Sequence, residues 1–266
     1  MRKLLIIIVL CLSSYSWATI AARQRGPGNY NSAHANSVTT TVQYGATTLA
    51  GSTLFCIVDA DTQSHSSGTS SPTPSIIAPT ASGLTWTLAV SNTVASSGSG
   101  LSSEQASIIT GIYYIANAPS VPTSTVISTG ASASSPYYIE VNVILAEFTG
   151  IASSPLLTTT VGSNQTTNTL IDAGSITLGS TALVFVHFYT ILSGSFIYGS
   201  GYCCGTSLGG TQLSFTGSDL SFAAGTYGTA IGAPVNLGPW TAVAVSFTEA
   251  GGSGPQPVPR HRGVVF

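Results

Sequence analysis

Hydrophobic and polar residues alternate with a period of two along short stretches of this chain. In PYYIEVNVILAEFTG, residues 136–150, every second side chain from Tyr137 to Leu145 is apolar, and successive side chains of a strand point to opposite faces of its sheet. Similar runs of Val, Ile, Thr, Tyr and Phe recur between clusters of Gly, Ser, Pro and Asn, which favour turns. The pattern predicts an all-β protein.

About eleven strands are predicted from these runs. So many short strands in one chain favour an antiparallel β-sandwich of the jelly-roll or immunoglobulin-like type. The run TALVFVHFY is apolar almost throughout, as in a strand covered on both faces, so its His187 is interpreted as a core residue. The predicted strands are 36–44, 52–59, 83–90, 105–116, 123–130, 136–148, 168–177, 180–190, 194–199, 211–216 and 240–248.

The first 21 residues have the features of a secretory signal peptide. A basic MRK precedes the apolar LLIIIVLCL, and small residues offer cleavage after Ala18 or Ala21. We therefore expect a secreted or cell-surface protein with no membrane span after signal removal. The expected organisation is a single β-sandwich domain at 22–250 and a flexible Gly/Pro-rich tail at 251–266 with a basic-apolar tip.

Charge is scarce and unevenly placed. Only 5% of the 266 residues are charged, against about 25% in an average soluble protein. Residues 26–259 contain no Lys or Arg, which argues against nucleic-acid binding and against phosphate sites built on cationic side chains. The expected partners are further copies of the chain or other surface proteins, with glycans as an alternative. Four Arg residues form terminal arms that we expect to dock on acidic neighbours: Arg23, Arg25, Arg260 and Arg262.

Glu147 continues the apolar face of the run at 136–150. Because the body lacks cations, a buried Glu147 must be hydrogen-bonded to amides, protonated or bound to a metal. Backbone amides of the following turn, FTGIASS, are the favoured donors. Glu140 lies seven residues earlier, on the opposite face and about 23 Å away along a strand. That separation within the strand argues against the paired carboxylates of a glycosidase.

Two further acids suggest a metal. Asp59 and Asp61 lie two residues apart in VDADTQSH, and oxygen ligands at such a spacing can bind calcium. Ordinary strand-end aspartates are the favoured interpretation, because the EF-hand pattern is absent. No other cofactor is predicted.

The remaining candidates involve cysteine, tyrosine and asparagine. Three cysteines follow the signal peptide, and they predict either one disulfide or free thiols, with Cys56 favoured as a buried apolar residue. Tyrosines in glycine-rich loops are candidate sugar contacts. Asn164-Gln165-Thr166 is a glycosylation sequon. The disulfide candidates are Cys56, Cys203 and Cys204, and the candidate ligand-binding residues are Tyr198, Tyr202 and Tyr227.

The order of motifs in the chain resembles that of a known group of proteins. The segments GSTLFCIVDAD, SGLTWTLAV, GIYYIANAP, EVNVILAEFTG and GPWTAVAVSFTEA follow one another between residues 45 and 250. This order resembles a family of uncharacterised immunoglobulin-like or jelly-roll β-sandwich domains in secreted bacterial and phage-associated proteins. The resemblance implies the architecture and an extracellular or particle-surface setting. It implies no catalytic residues.

Two functions follow as expectations. The first is a secreted, non-enzymatic structural protein, a subunit of an extracellular filament, layer or fibre. The alternative is a carbohydrate-binding or adhesive module, assisted by calcium in one variant of that hypothesis. No nucleophile motif or nucleotide loop supports an enzyme.

Overall fold

The computed structural model describes residues 20–64, 70–95, 105–164, 168–191, 213–217, 221–237 and 239–251. Within these ranges the chain is all-β and the strands pair antiparallel, which confirms the predicted fold class. Among the described residues, no helix has the length and apolar character needed to cross a membrane. The strands are β1 (Ala21–Val42), β2 (Thr53–Ser64), β3 (Ser75–Thr80), β4 (Thr87–Val94), β5 (Gln105–Ile115), β6 (Ile127–Thr149), β7 (Ile151–Asn164), β8 (Asn168–Ile171), β9 (Ser175–Leu178), β10 (Ala182–Thr190), β11 (Leu213–Gly217), β12 (Ser221–Phe222), β13 (Gly225–Gly228), β14 (Ile231–Leu237) and β15 (Trp240–Glu249).

Two sheets form the body of the protein. The front sheet has the strand order β1-β6-β2-β5-β4, and β3 also pairs with β6. The back sheet has the order β11-β10-β15-β7, and β12 also pairs with β10. Two short ribbons, β13-β9 and β14-β8, complete the described strands, and residues of β8, β9 and β13 pack against the outer face of the back sheet. The front and back sheets share a core, as in a β-sandwich.

Aromatic rings form the centre of the core between the two sheets. Phe55 of β2 stacks on Phe185 of β10 with ring centroids 5.2 Å apart, and it meets Phe247 of β15 edge-on at 4.8 Å. All three side chains are buried. Because side chains alternate along a strand, residues two and four positions beyond Phe55 and Phe185 also face the space between the sheets.

The longest strands, β1 and β6, curl over the outer face of the front sheet. Their pairing has a register shift near Ala35, and the Asn29 and Asn31 amides donate to the carbonyl oxygens of Thr41 and Thr39, each at 2.6 Å. These bonds tie the first part of β1 to its last part. A second hydrophobic core lies under the curl, so the front sheet is covered on both faces.

The predicted strands agree best with the structure where they are buried on both faces. β5, β10 and β15 match the predictions at 105–116, 180–190 and 240–248, whereas the two strands predicted between 123 and 148 form the single strand β6. β3 and β7 were not predicted. Both are at least partly exposed, and β7 is rich in Ser and Thr, so an apolar alternation is absent. The strand predicted at 194–199 lies outside the described residues.

Candidate functional site

A set of polar side chains is buried between the sheets, next to the aromatic centre of the core. The alternation that directs Phe55 toward the back sheet also directs Asp59 and Asp61 there, and the facing strand contributes His187 and Tyr189. These four side chains are 0% exposed. We call the full set the polar layer. It comprises Asp59, Asp61, Thr110, Glu140, Asn142, His187 and Tyr189.

An acid and an imidazole join the two sheets within the polar layer. Nε2 of His187, in the back sheet, lies 2.7 Å from Oδ1 of Asp59, in the front sheet. The hydroxyl of Thr110 donates to the same carboxyl oxygen. Because both partners are fully buried, this contact fixes the position of one sheet relative to the other at a specific pair of residues.

Asp61 forms the second link between the sheets. The Tyr189 hydroxyl donates to Oδ1 of Asp61 at 2.8 Å, and the Gln63 amide donates to Oδ2 at 2.7 Å. Burial, followed by the nearby Glu140 carboxylate, raises the pKa of Asp61 to about 8, although both hydrogen bonds act in the opposite direction. Asp61 is therefore mostly protonated at neutral pH.

Glu140 lies at the side of the polar layer that meets the solvent. It is the cross-strand partner of Asp61, so two carboxyl groups lie side by side on the same face of the front sheet. The hydroxyl of Tyr30, on β1, donates to Oε1 of Glu140 at 2.9 Å. Tyr30 is 40% exposed whereas Glu140 is 7% exposed. Partial burial, with Glu140 as a further cause, raises the pKa of Tyr30.

The arrangement of donors argues against a calcium site at Asp59 and Asp61. Each carboxyl group accepts hydrogen bonds from protein donors, and a hydroxyl or amide hydrogen occupies the position that a cation needs. Among the described residues, no three His, Cys, Asp or Glu side chains are placed to hold a metal ion. The polar layer can thus tie the sheets together and hold a proton. Its four central side chains have no exposed surface on which a substrate could bind.

Glu147 lies on the other face of β6 and is also fully buried. Its Oε1 accepts the backbone N–H of Leu49 at 2.7 Å, and its Oε2 accepts the Gln24 amide at 2.6 Å. Nε of Arg23 lies 3.3 Å from Oε2. Bonding to amides was the favoured interpretation of Glu147, but the predicted donors, in the turn FTGIASS, were wrong. The arm residue Arg23 is instead engaged within its own chain.

Other predicted site residues lie apart from the polar layer. The Tyr227 hydroxyl donates to the carbonyl oxygen of Ala223 at 2.9 Å, and its ring contacts Phe222 edge-on, so it is packed and half-buried. Cys56 is a free, fully buried thiol whose pKa is raised by burial. Arg25 is exposed on β1. Asn164 is the last residue of β7 and pairs with Trp240. Six predicted residues lie outside the described ranges: Tyr198, Tyr202, Cys203, Cys204, Arg260 and Arg262.

The class of protein that these observations define is an all-β sandwich with an acid–imidazole contact in its core. No protein-family model, curated protein or solved structure matched the chain. The resemblance to secreted β-sandwich domains therefore stays a prediction.

The pairing of His187 with Asp59 was not predicted, because the two residues are 128 positions apart. The alternation of side chains along each strand did offer a signal for this contact. It places Asp59 on the same face of its strand as Phe55, and His187 on the same face of its strand as Phe185.

Proposed function

We propose that this chain is a secreted, non-enzymatic structural protein that assembles with further copies of itself. The acids within the described residues support this proposal, because each of them is buried or hydrogen-bonded inside the chain. None is therefore presented in an open cleft, where a general acid or base would meet a substrate. They are Asp59, Asp61, Glu140, Glu147, Asp172 and Glu249.

The outer edge of β4 is the observation that carries the proposal. β4 ends the front sheet and, among the described strands, pairs only with β5. It contains no charged residue and no proline, and after one register shift between Leu88 and Val90 its pairing with β5 is regular to Val94. Natural proteins usually protect such edges, because unpaired N–H and C=O groups bind strands of other molecules.

Two other edge strands contain proline, which β4 lacks, and have more register shifts than the single one of β4. β1 contains Arg23, Arg25 and Pro27 and has three register shifts in its pairing with β6. β7 contains Pro155 and has two register shifts in its pairing with β15. The contrast favours β4 as the edge that pairs between copies, by addition of a strand from a neighbouring molecule.

A lysine on β4 should therefore weaken self-association. Ser91 is exposed near the middle of the strand, and Ser91→Lys would bring a cation to the pairing edge. We expect the dissociation constant between copies to rise about tenfold or more, since the charge must be desolvated and like charges meet in a symmetric pair. Sedimentation velocity of the mature chain measures the constant, and negative-stain microscopy shows the form of the assembly.

Ser124→Lys is the matched control, because Ser124 is exposed in a turn outside the strands. It adds the same charge and should leave the assembly unchanged. A wild-type protein that remains monomeric at micromolar concentration would contradict the proposal. Equal association of the two lysine variants would show that β4 is not the contact.

The buried position of Ile20 predicts the mature N-terminus. Ile20 is 7% exposed and belongs to the core between the sheets. Cleavage after Ala21 would remove it, whereas cleavage after Ala18 keeps it. We expect intact-mass measurement of the protein secreted through its own signal to give Thr19 as the first residue. A mass that begins at Ala22 would contradict this expectation.

A further inference from the structure

A groove opens on the flank of the sandwich, between the two sheets. It lies between the beginning of β4, the end of β5 and the beginning of β7, and its volume is about 350 Å³. That volume is at the lower end of the range for small-molecule sites. We call it the flank groove. Its lining residues are Thr85, Thr87, Tyr114, Ile115, Ala116, Ser153 and Ser154.

The chemistry of the lining is neutral and rich in hydroxyl groups. Five of the seven residues carry a hydroxyl, the other two are apolar, and none is charged. Within the described part of the chain, none of these five hydroxyls forms a side-chain hydrogen bond with the protein. Each can both donate and accept a hydrogen bond, so the groove offers several such positions to a ligand.

Tyr114 gives the groove a fixed aromatic wall. Its ring contacts the fully buried Phe247 edge-on, with centroids 5.4 Å apart, so the core holds the ring in place. Tyr114 is itself only half-buried. A positioned ring beside free hydroxyls suits a ligand that presents both C–H surfaces and hydroxyl groups.

We propose that the flank groove binds a neutral oligosaccharide. Sugars present hydroxyl groups around C–H faces, and an uncharged site gives no electrostatic preference for an acidic ligand. This site differs from the loop tyrosines that the sequence suggested, since Tyr227 is engaged by the protein and Tyr114 is available.

Titration calorimetry of the mature full chain tests the proposal with four probes. These are maltopentaose, cellopentaose and mannopentaose, which are neutral, and trigalacturonate, which is acidic. At least one neutral probe should bind saturably and more tightly than trigalacturonate. Tyr114→Phe, or Ser153→Ala combined with Ser154→Ala, should weaken that binding about two- to tenfold, as expected for lost hydrogen bonds.

Ser124→Ala, outside the groove, is the matched control and should bind like the wild type. The same titrations on Ser91→Lys keep the proposal separate from self-association, because Thr87 lies both in the groove and on the β4 edge. No binding of any neutral probe up to about 10 mM, a very weak affinity, would overturn the proposal. Binding that both groove variants leave unchanged would also overturn it, as would tighter binding of trigalacturonate.

Discussion

The free energy of unfolding should fall as the pH rises from about 4 to about 8, and Asp61→Asn should remove the part of this decrease that Asp61 causes. The pKa of Asp61 is raised from 3.8 to about 8 in the folded protein, chiefly by burial. Between these values the unfolded chain has released the proton and the folded chain retains it. The contribution of the Asp61 proton to the free energy of unfolding is therefore complete below pH 4. It is lost as the pH rises, by at most about 1.4 kcal/mol per pH unit.

Asparagine suits this test because it keeps the shape of the side chain and cannot ionise. Its carbonyl oxygen can still accept the Tyr189 hydroxyl, and Gln63 can rotate its amide to donate or accept as needed. Urea unfolding followed by the fluorescence of Trp86 and Trp240 gives the free energy at each pH. The variant should be more stable than the wild type at pH 8, with a smaller difference near pH 4.

Asp172→Asn is the control for this experiment. Oδ1 of Asp172 accepts the backbone N–H of Gly174 at 2.8 Å, in a position away from the polar layer. This variant should keep the wild-type dependence on pH. If Asp61→Asn also keeps it, the buried proton is not on Asp61.

Replacing His187 alone should destabilise the protein by about 3 kcal/mol or more, because it removes a partner from a fully buried carboxyl group. In His187→Leu the carboxyl of Asp59, which is 0% exposed, loses the imidazole and keeps the Thr110 hydroxyl. Thermal and urea unfolding measure the loss. A loss below about 1 kcal/mol, the size of an ordinary hydrogen bond, would show that the contact between the sheets is weak.

The double variant distinguishes two causes of the lost stability, the broken contact between Asp59 and His187 and the changed volume of the side chains. Asp59→Val combined with His187→Leu removes both polar partners together, so it should recover much of the stability that His187→Leu loses. Leu178→Ala, in the core on the outer side of the back sheet, is the control, and its effect should add to that of His187→Leu. Simple additivity of the Asp59 and His187 substitutions would contradict a coupled pair.

The two proposals concern one side of the molecule. The β4 edge and the flank groove share Thr87, so a neighbouring copy paired along β4 would lie beside a bound sugar. Self-association and sugar binding would then influence each other, and by linkage the influence must be reciprocal. The Ser91→Lys variant makes it measurable, because it leaves the lining of the groove intact.

Prediction of the site from the sequence succeeded where it depended on alternation within one strand. Alternation put Glu140 and Glu147 on opposite faces of β6, and the structure confirms this. Glu140 belongs to the polar layer and accepts the Tyr30 hydroxyl, whereas Glu147 contacts Arg23 and Leu49. It failed where donors came from distant parts of the chain. Leu49 precedes Glu147 by 98 residues, and no local pattern relates the two.

The sequence by itself determined the class of fold, the neutral surface and the absence of lysine and arginine from the body of the chain. These properties depend on composition and on periodicity within single strands, which local sterics and burial enforce. Only the tertiary structure decided which side chains meet. Pairing and stacking of sheets join residues more than a hundred positions apart, as in the contact of Asp59 with His187. That contact exists because two strands cross the core in one particular register, which is a property of the whole packed sandwich.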